Sequence, residues 1–170
     1  MKKVSISVGR LQDLYGDRRA IEIAKKIGAD AVDLALDIND FKRPDSIYAK
    51  SDKEISEYFS SLREHAESIG IKICQTHGRI EGFRNDEALD NELVENTRRD
   101  CLATRALGAP FCVVHAVTTI FMGPDADPKF MRDLNFKQYN AIIPFAKQYG
   151  VKIATETFGD AVKFNSCDFF

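Results

Sequence analysis

The sequence lacks long apolar runs, closely paired cysteines and an excess of charge of either sign. No segment approaches the roughly 18 apolar residues of a membrane span, and the apolar run within 1–8 is too short for a signal peptide. The four cysteines form no CxxC pair and no zinc-like spacing, which is typical of a reduced cytoplasmic compartment. With 24 basic and 26 acidic residues, the chain also lacks the basic face of a non-specific nucleic-acid binder. We therefore expect a cytoplasmic protein with neither a membrane nor a nucleic acid as its partner.

What the sequence does contain is a glycine that recurs about every 40 residues, at 28, 70, 108 and 150. Each glycine ends a predicted helix and precedes a short apolar run. Strands are predicted at 4–8, 30–36, 71–75, 111–117 and from 151, and helices at 17–27, 51–69, 85–107 and from 129 or 135 to 149. This alternation indicates βα units around a parallel sheet. An open doubly wound sheet and a closed (β/α)8 barrel both remain, but no G-x-G-x-x-G follows the first strand, which disfavours a dinucleotide fold.

The length of the chain bears on the choice of architecture. A chain of 170 residues is expected to form one domain, whereas a complete eight-unit barrel takes roughly 250 residues. The fifth strand is followed only by a short segment that ends in Phe169 and Phe170. Such side chains gain roughly 1.5–3 kcal/mol each on burial, so a missing part of the fold would cover them. We expect a compact five-stranded domain or an incomplete (β/α)8 barrel, 1–170, without strands six to eight.

Three potential metal ligands fall at the carboxyl ends of successive predicted strands. His77 and Glu156 lie at the exits of the third and fifth strands, and His115 lies near the end of the fourth, at the edge where parallel α/β folds place their functional groups. Imidazole and carboxylate groups are ligands for zinc, manganese or iron. Each residue alone has a structural explanation, but their recurrence at equivalent points favours a site. Arg79 is a candidate to bind a substrate phosphate, and His65 is interpreted as a partly exposed helix residue.

The run Gly-Val-Lys-Ile-Ala-Thr-Glu-Thr at 150–157, together with the βα units and the strand-end histidines, resembles the xylose isomerase-like TIM-barrel superfamily. That group includes sugar and sugar-phosphate isomerases and epimerases and the endonuclease IV-type repair enzymes. The resemblance covers essentially the whole chain. It implies that Glu156 binds a divalent ion (Mn²⁺, Zn²⁺, Mg²⁺ or Co²⁺) and transfers the proton, and that His77 and His115 are further metal or substrate ligands. Thr157 departs from the family, since many members have asparagine there, and the remaining ligands come from strands six to eight.

The resemblance leads to one main hypothesis and two alternatives. The first is a divalent-metal-dependent isomerase or epimerase of a sugar or sugar phosphate, which moves a proton through a metal-stabilised enediolate and contacts its substrate through His77, His115 and Arg79. As this short chain, it could be inactive. The second is a zinc-dependent abasic-site endonuclease, which the net charge of −2 disfavours. The third is a non-catalytic partial barrel that forms a homo-oligomer to cover its open edge.

Overall fold

The structure, a computed structural model, describes residues 3–156 and 158. Predictions for Thr157, Phe169 and Phe170 concern residues outside this range. The strands are β1 (Ser5–Ser7), β2 (Ala31–Ala35), β3 (Lys72–His77), β4 (Phe111–Val113) and β5 (Lys152–Ala154). The helices are α1 (Gly9–Tyr15), α2 (Asp17–Lys26), α3 (Asp52–Ser68), α4 (Glu87–Ala106), α5 (Thr119–Met122) and α6 (Pro128–Tyr149), with a 3₁₀ turn at Ile47–Ala49.

The five strands form one parallel sheet in the order β1-β2-β3-β4-β5. The strands therefore follow one another in space as they do along the chain, whereas a doubly wound sheet reverses its order at a switch point. This order is that of successive units of a TIM barrel. The predicted fold class, α/β with parallel (β/α) units, is confirmed for the described residues.

The core lies between the outer face of the sheet and the helices. Val32 and Leu34 of β2 are fully buried there against Ile21 of α2 and Phe59 of α3. The opposite face of the sheet carries smaller and more polar side chains, such as Ser5 and Cys74, whose Oγ and Sγ atoms lie 3.0 Å apart. Apolar residues thus attach the helices, and polar residues are left for the inner face.

Several predicted helix boundaries are confirmed by their capping contacts. Ser51 and Glu54 form the predicted capping box at the start of α3. Gly150 ends α6 with φ 68° and ψ 31°, the left-handed conformation that glycine adopts at little cost. The prediction that Asn85 caps α4 is wrong: the side chain of Asp86 accepts hydrogen bonds from the first turn instead, and Asn85 precedes it with φ 59°.

The sequence did not predict α1, which begins at Gly9 without a side-chain cap. The fourth strand was predicted to continue to Val117, whereas β4 ends at Val113. Within residues 3–156 and 158, no helix has both the length and the apolar character that crossing a membrane requires.

Candidate metal centre

His77, His115 and Glu156 lie side by side at the carboxyl ends of three neighbouring strands. His77 is the last residue of β3, and the other two follow the ends of β4 and β5 by two residues. The Nε2 atoms of His77 and His115 are 3.3 Å apart. Oε2 of Glu156 lies 3.1 Å from Nε2 of His77 and 3.0 Å from Nε2 of His115. The structure therefore brings the three residues together, with one ligand atom of each within 4.8 Å of the others. Their role as metal ligands stays a prediction.

The second nitrogen of each imidazole contacts a protein oxygen behind the cluster. Nδ1 of His115 lies 2.9 Å from the main-chain oxygen of Arg79, and because a carbonyl oxygen only accepts, Nδ1 carries the proton. Nδ1 of His77 lies 3.2 Å from Oδ2 of Asp33, a buried residue of β2. Such contacts fix the tautomer and the ring orientation of metal-binding histidines. Both rings accordingly present Nε2 to the cluster.

Asp33 is not among the site residues predicted from the sequence. The sequence does contain a sign of its importance, because Asp33 is a charged residue inside the otherwise apolar run of β2. A buried carboxylate requires a partner, and the neighbouring strand supplies His77.

The ligand atoms of the cluster repel one another unless a positive charge lies among them. When both rings carry their proton on Nδ1, two imidazole lone pairs and a carboxylate oxygen face one another at 3.0–3.3 Å. A divalent ion or an additional proton removes that repulsion. The donor set of two imidazoles and a carboxylate is one that zinc and manganese accept, so the residues fit the metal that the sequence predicts.

The two histidines differ in how readily they take up that proton. The hydrogen bond with Asp33 raises the pKa of His77 above its usual value, and the charge of Glu156 adds to this effect against the opposing cost of burial. Burial lowers the pKa of His115, which is only 1% exposed, and the positive charge of a protonated His77 lowers this pKa further. A proton that balances the cluster therefore resides on His77.

Arg79 lies below the cluster instead of facing an open cleft. Arg79 is only 8% exposed. Its guanidinium Nη2 donates to the main-chain oxygen of Asn39 at 2.9 Å, and the same nitrogen lies 3.8 Å from Oδ1 of Asp100. The contact between Arg79 and the cluster is made by the main chain, through the bond to His115. Its role in binding substrate stays a prediction, and the observed contacts of the side chain are internal.

Two phenylalanines give the cluster an apolar boundary that the sequence did not suggest. The ring of Phe158 lies 5.3 Å from that of His115 at an interplanar angle of 31°, and Phe121 packs edge-on against Phe158 at 6.1 Å. An apolar wall limits the access of water to His115 and strengthens the electrostatic interactions beside it. His65, by contrast, lies on α3, with Nε2 3.2 Å from Oε1 of Glu22 and apart from the cluster, as predicted.

A cleft of about 300 Å³ adjoins the cluster on the side of His77. Arg10, Asp37 and Ile80 are among its lining residues. A larger cleft of about 780 Å³ opens at the amino ends of the strands, beside Lys72, and none of the predicted ligands lines it. In parallel α/β folds the carboxyl ends of the strands are functional, so we take the smaller cleft as the space next to the candidate centre.

A comparison with protein-family models matches residues 21–167 to the xylose isomerase-like TIM barrel. A comparison with curated proteins found no match.

Solved structures resemble the chain over most of its length. They include a 3-keto-D-glucoside 4-epimerase, YcjR, from E. coli in its apo form, with 13% identity, a TM-score of 0.65, and coverage of 88% of this chain and 54% of that one. A D-psicose 3-epimerase in the presence of D-fructose has 17% identity, a TM-score of 0.68, and coverage of 94% and 53%. The IolI protein with a bound zinc atom has 19% identity, a TM-score of 0.59, and coverage of 91% and 51%. The chain spans about half the length of these structures, and at such identities the likeness shows the fold alone.

Proposed function

Because the chain belongs to the xylose isomerase-like TIM-barrel family, we propose that it carries the metal-binding half of a sugar or sugar-phosphate isomerase or epimerase. The observation that supports this most is the convergence of His77 Nε2, His115 Nε2 and a Glu156 carboxylate oxygen within 4.8 Å of one another. The fold-level likeness to a D-psicose 3-epimerase and to a 3-keto-D-glucoside 4-epimerase adds support for a sugar substrate.

In this proposal His77, His115 and Glu156 hold one divalent ion, which is Mn²⁺, Zn²⁺, Mg²⁺ or Co²⁺. When bound, the ion supplies positive charge next to the substrate oxygen on which negative charge develops. Asp33 and the carbonyl of Arg79 hold the two imidazole rings in the tautomer that leaves Nε2 available.

Glu156 is the residue to which we assign the proton transfer. Its side chain is 46% exposed, whereas that of His115 is 1% exposed, so the carboxylate is the accessible member of the cluster. As a general base it takes the proton from the carbon next to the substrate carbonyl. Isomerisation returns that proton to the former carbonyl carbon, while the hydroxyl proton passes to the former carbonyl oxygen. Epimerisation delivers a proton to the opposite face of the same carbon, which requires a second acid on that face.

Solvent exchange tests the proposal more sensitively than product formation. The chain is incubated in D₂O with Mn²⁺, Zn²⁺, Mg²⁺ or Co²⁺ and a panel of ketoses and ketose phosphates, and deuterium at the carbon beside the carbonyl is measured by NMR. We expect incorporation with the wild-type chain and none with the Glu156→Gln variant. If no sugar exchanges with any of the four metals, the assignment as an isomerase or epimerase is wrong.

The other sequence-based hypotheses stay predictions. Cleavage of a duplex with one abasic site in the presence of zinc would support the endonuclease, and sedimentation of a concentration-dependent dimer would support the partial barrel that forms a homo-oligomer. The assignment of 1–170 to one domain and the cytoplasmic location are also predictions.

A further inference from the structure

A buried polar network lies beneath the candidate centre, and its side chains have no part in the chemistry proposed above. Tyr48, Asp100 and Arg79 come from the 3₁₀ turn, from α4 and from the segment after β3, and all three are buried. The hydroxyl of Tyr48 donates to Oδ1 of Asp100 at 2.7 Å. Nη2 of Arg79 lies 3.8 Å from the same oxygen and donates to the main-chain oxygen of Asn39.

This network is connected to the centre through the main chain of one residue. The carbonyl oxygen of Arg79 accepts the Nδ1–H of His115 at 2.9 Å. The preceding residue, Gly78, donates its N–H to the main-chain oxygen of Val113 at 3.0 Å. A Cβ at position 78 would lie 2.6 Å from that oxygen and 3.4 Å from Oδ2 of Asp100. The segment is thus confined between β4 and the carboxylate, which leaves the carbonyl of Arg79 little freedom to turn.

The charges of Asp100 and Arg79 are unusual as a device for stability alone. Burying two charges costs much of what their attraction gains, and well-packed apolar residues often replace such a pair without loss. Removal of only one partner is costly, because it leaves an uncompensated charge in the interior. An arginine that compensates a buried carboxylate is therefore held at one place, and so is its main chain.

We propose that Asp100 is a positioning residue for the metal centre. Together with Tyr48 it anchors Arg79, and the carbonyl of Arg79 selects the Nδ1–H tautomer of His115 and leaves Nε2 free to bind the ion. The inference rests on the proposed function for the ion, but the tautomer of His115 is a property of the metal-free chain. Arg79 acts in this account through its main chain and not as a phosphate ligand.

Three variants separate positioning from stability. Asp100→Asn removes the charge and keeps an acceptor for Tyr48, Arg79→Met removes the guanidinium and keeps the carbonyl, and the double variant removes both charges. Asp90→Asn is the matched control, because Asp90 is a buried acid of the same helix whose Oδ1 accepts from the N–H of Arg84 and not from the network. For each protein we would measure the ¹⁵N shifts of the His115 ring without metal, zinc affinity by chelator competition, and thermal stability.

The two single variants are expected to lose the single Nδ1–H tautomer and to bind zinc about 10–100-fold more weakly, the usual effect of losing an orienting contact. The double variant should bind zinc no more weakly than either single variant, because all three variants disrupt the same series of contacts from Asp100 through Arg79 to His115. Its thermal stability should nonetheless recover toward wild type, since no buried charge lacks a partner. Asp90→Asn should alter thermal stability alone.

The inference is overturned if Asp100→Asn, or the double variant where the single one does not fold, keeps the wild-type tautomer and zinc affinity. Failure of the proposed function gives a different result, because the wild-type chain then binds no zinc. The tautomer of His115 in the metal-free chain still decides the inference in that case: a change in Asp100→Asn supports it, and an unchanged tautomer overturns it.

Discussion

We predict that zinc binding by this chain displaces at most one proton, and that this proton comes from His77. An imidazole binds a metal only through an unprotonated nitrogen, so the proton and the ion compete for Nε2. The hydrogen bond with Asp33 raises the pKa of His77 above its usual value. Below that pKa the affinity for zinc should fall about tenfold for each pH unit, or about 1.4 kcal/mol. Above it the affinity should not depend on pH.

The second histidine sets the size of the effect. Burial lowers the pKa of His115 below the usual value of about 6.5, so the neutral form of its ring predominates above that pH. Only one proton is then displaced, and the affinity falls at most tenfold between about pH 7.5 and pH 6.5. Two equivalent histidines that both titrated in this range would give a decrease approaching a hundredfold. The slope therefore distinguishes an asymmetric pair from a symmetric one.

Zinc affinity would be measured by chelator competition from about pH 6.5 to about pH 8.5, the range above the usual histidine pKa. Calorimetry in two buffers of different ionisation enthalpy counts the protons released. Asp33→Asn removes the main cause of the raised pKa of His77, so the pH at which the affinity levels off should move lower. Asp13→Asn is the control, because Asp13 lines the same cleft but pairs with Arg10. A two-proton slope, or an unchanged profile in Asp33→Asn, would refute the reasoning.

Three further substitutions test the site and its support. Glu156→Gln should weaken zinc binding by at least the roughly 10–100-fold that loss of an orienting partner costs, yet leave the free energy of unfolding within about 0.5 kcal/mol, because the side chain is 46% exposed. Gly78→Ala should destabilise the chain by about 1–3 kcal/mol in urea unfolding, because its Cβ would lie 2.6 Å from the oxygen of Val113. Ser51→Ala should lower the free energy of unfolding by about 1 kcal/mol through loss of the α3 cap and leave zinc affinity unchanged. If Gly78→Ala and Ser51→Ala weakened zinc binding equally, a local role for Gly78 at the centre would be contradicted.

The fold was predictable because its signals are local. A glycine that ends a helix and an apolar run that follows it depend on residues within a few positions of each other, and Gly150 adopts the predicted conformation. Strand ends were less predictable because an apolar run reports burial and not pairing. Val114 and Val117 are buried beyond the end of β4, but the N–H and carbonyl of Val117 bond to the side chain of Asn135 on α6. The sequence of the strand holds no sign of that partner.

The candidate ligands were predictable for the same reason, and their supports were not. His77, His115 and Glu156 lie at or near strand ends, and the rule that these ends share one edge places them together. The importance of Asp33 depends instead on which ring nitrogen of His77 faces the cluster, a matter of three-dimensional orientation. Tyr48 belongs to a polar loop in the sequence, yet it is fully buried and donates to Asp100.

The contacts around the two histidines suggest a division of roles between them. His115 is held at both its ring and its main chain, because Nδ1 donates to the carbonyl of Arg79 and the carbonyl of His115 accepts from Nε2 of Gln138 at 2.8 Å. Burial lowers its pKa and so favours the neutral ring, which offers its Nε2 lone pair. His77 has a side chain 24% exposed and a raised pKa, so we expect it to be the residue that exchanges its proton with solvent if an ion binds. We therefore expect the pH dependence of the centre to follow substitutions around His77, and its geometry to follow substitutions around His115.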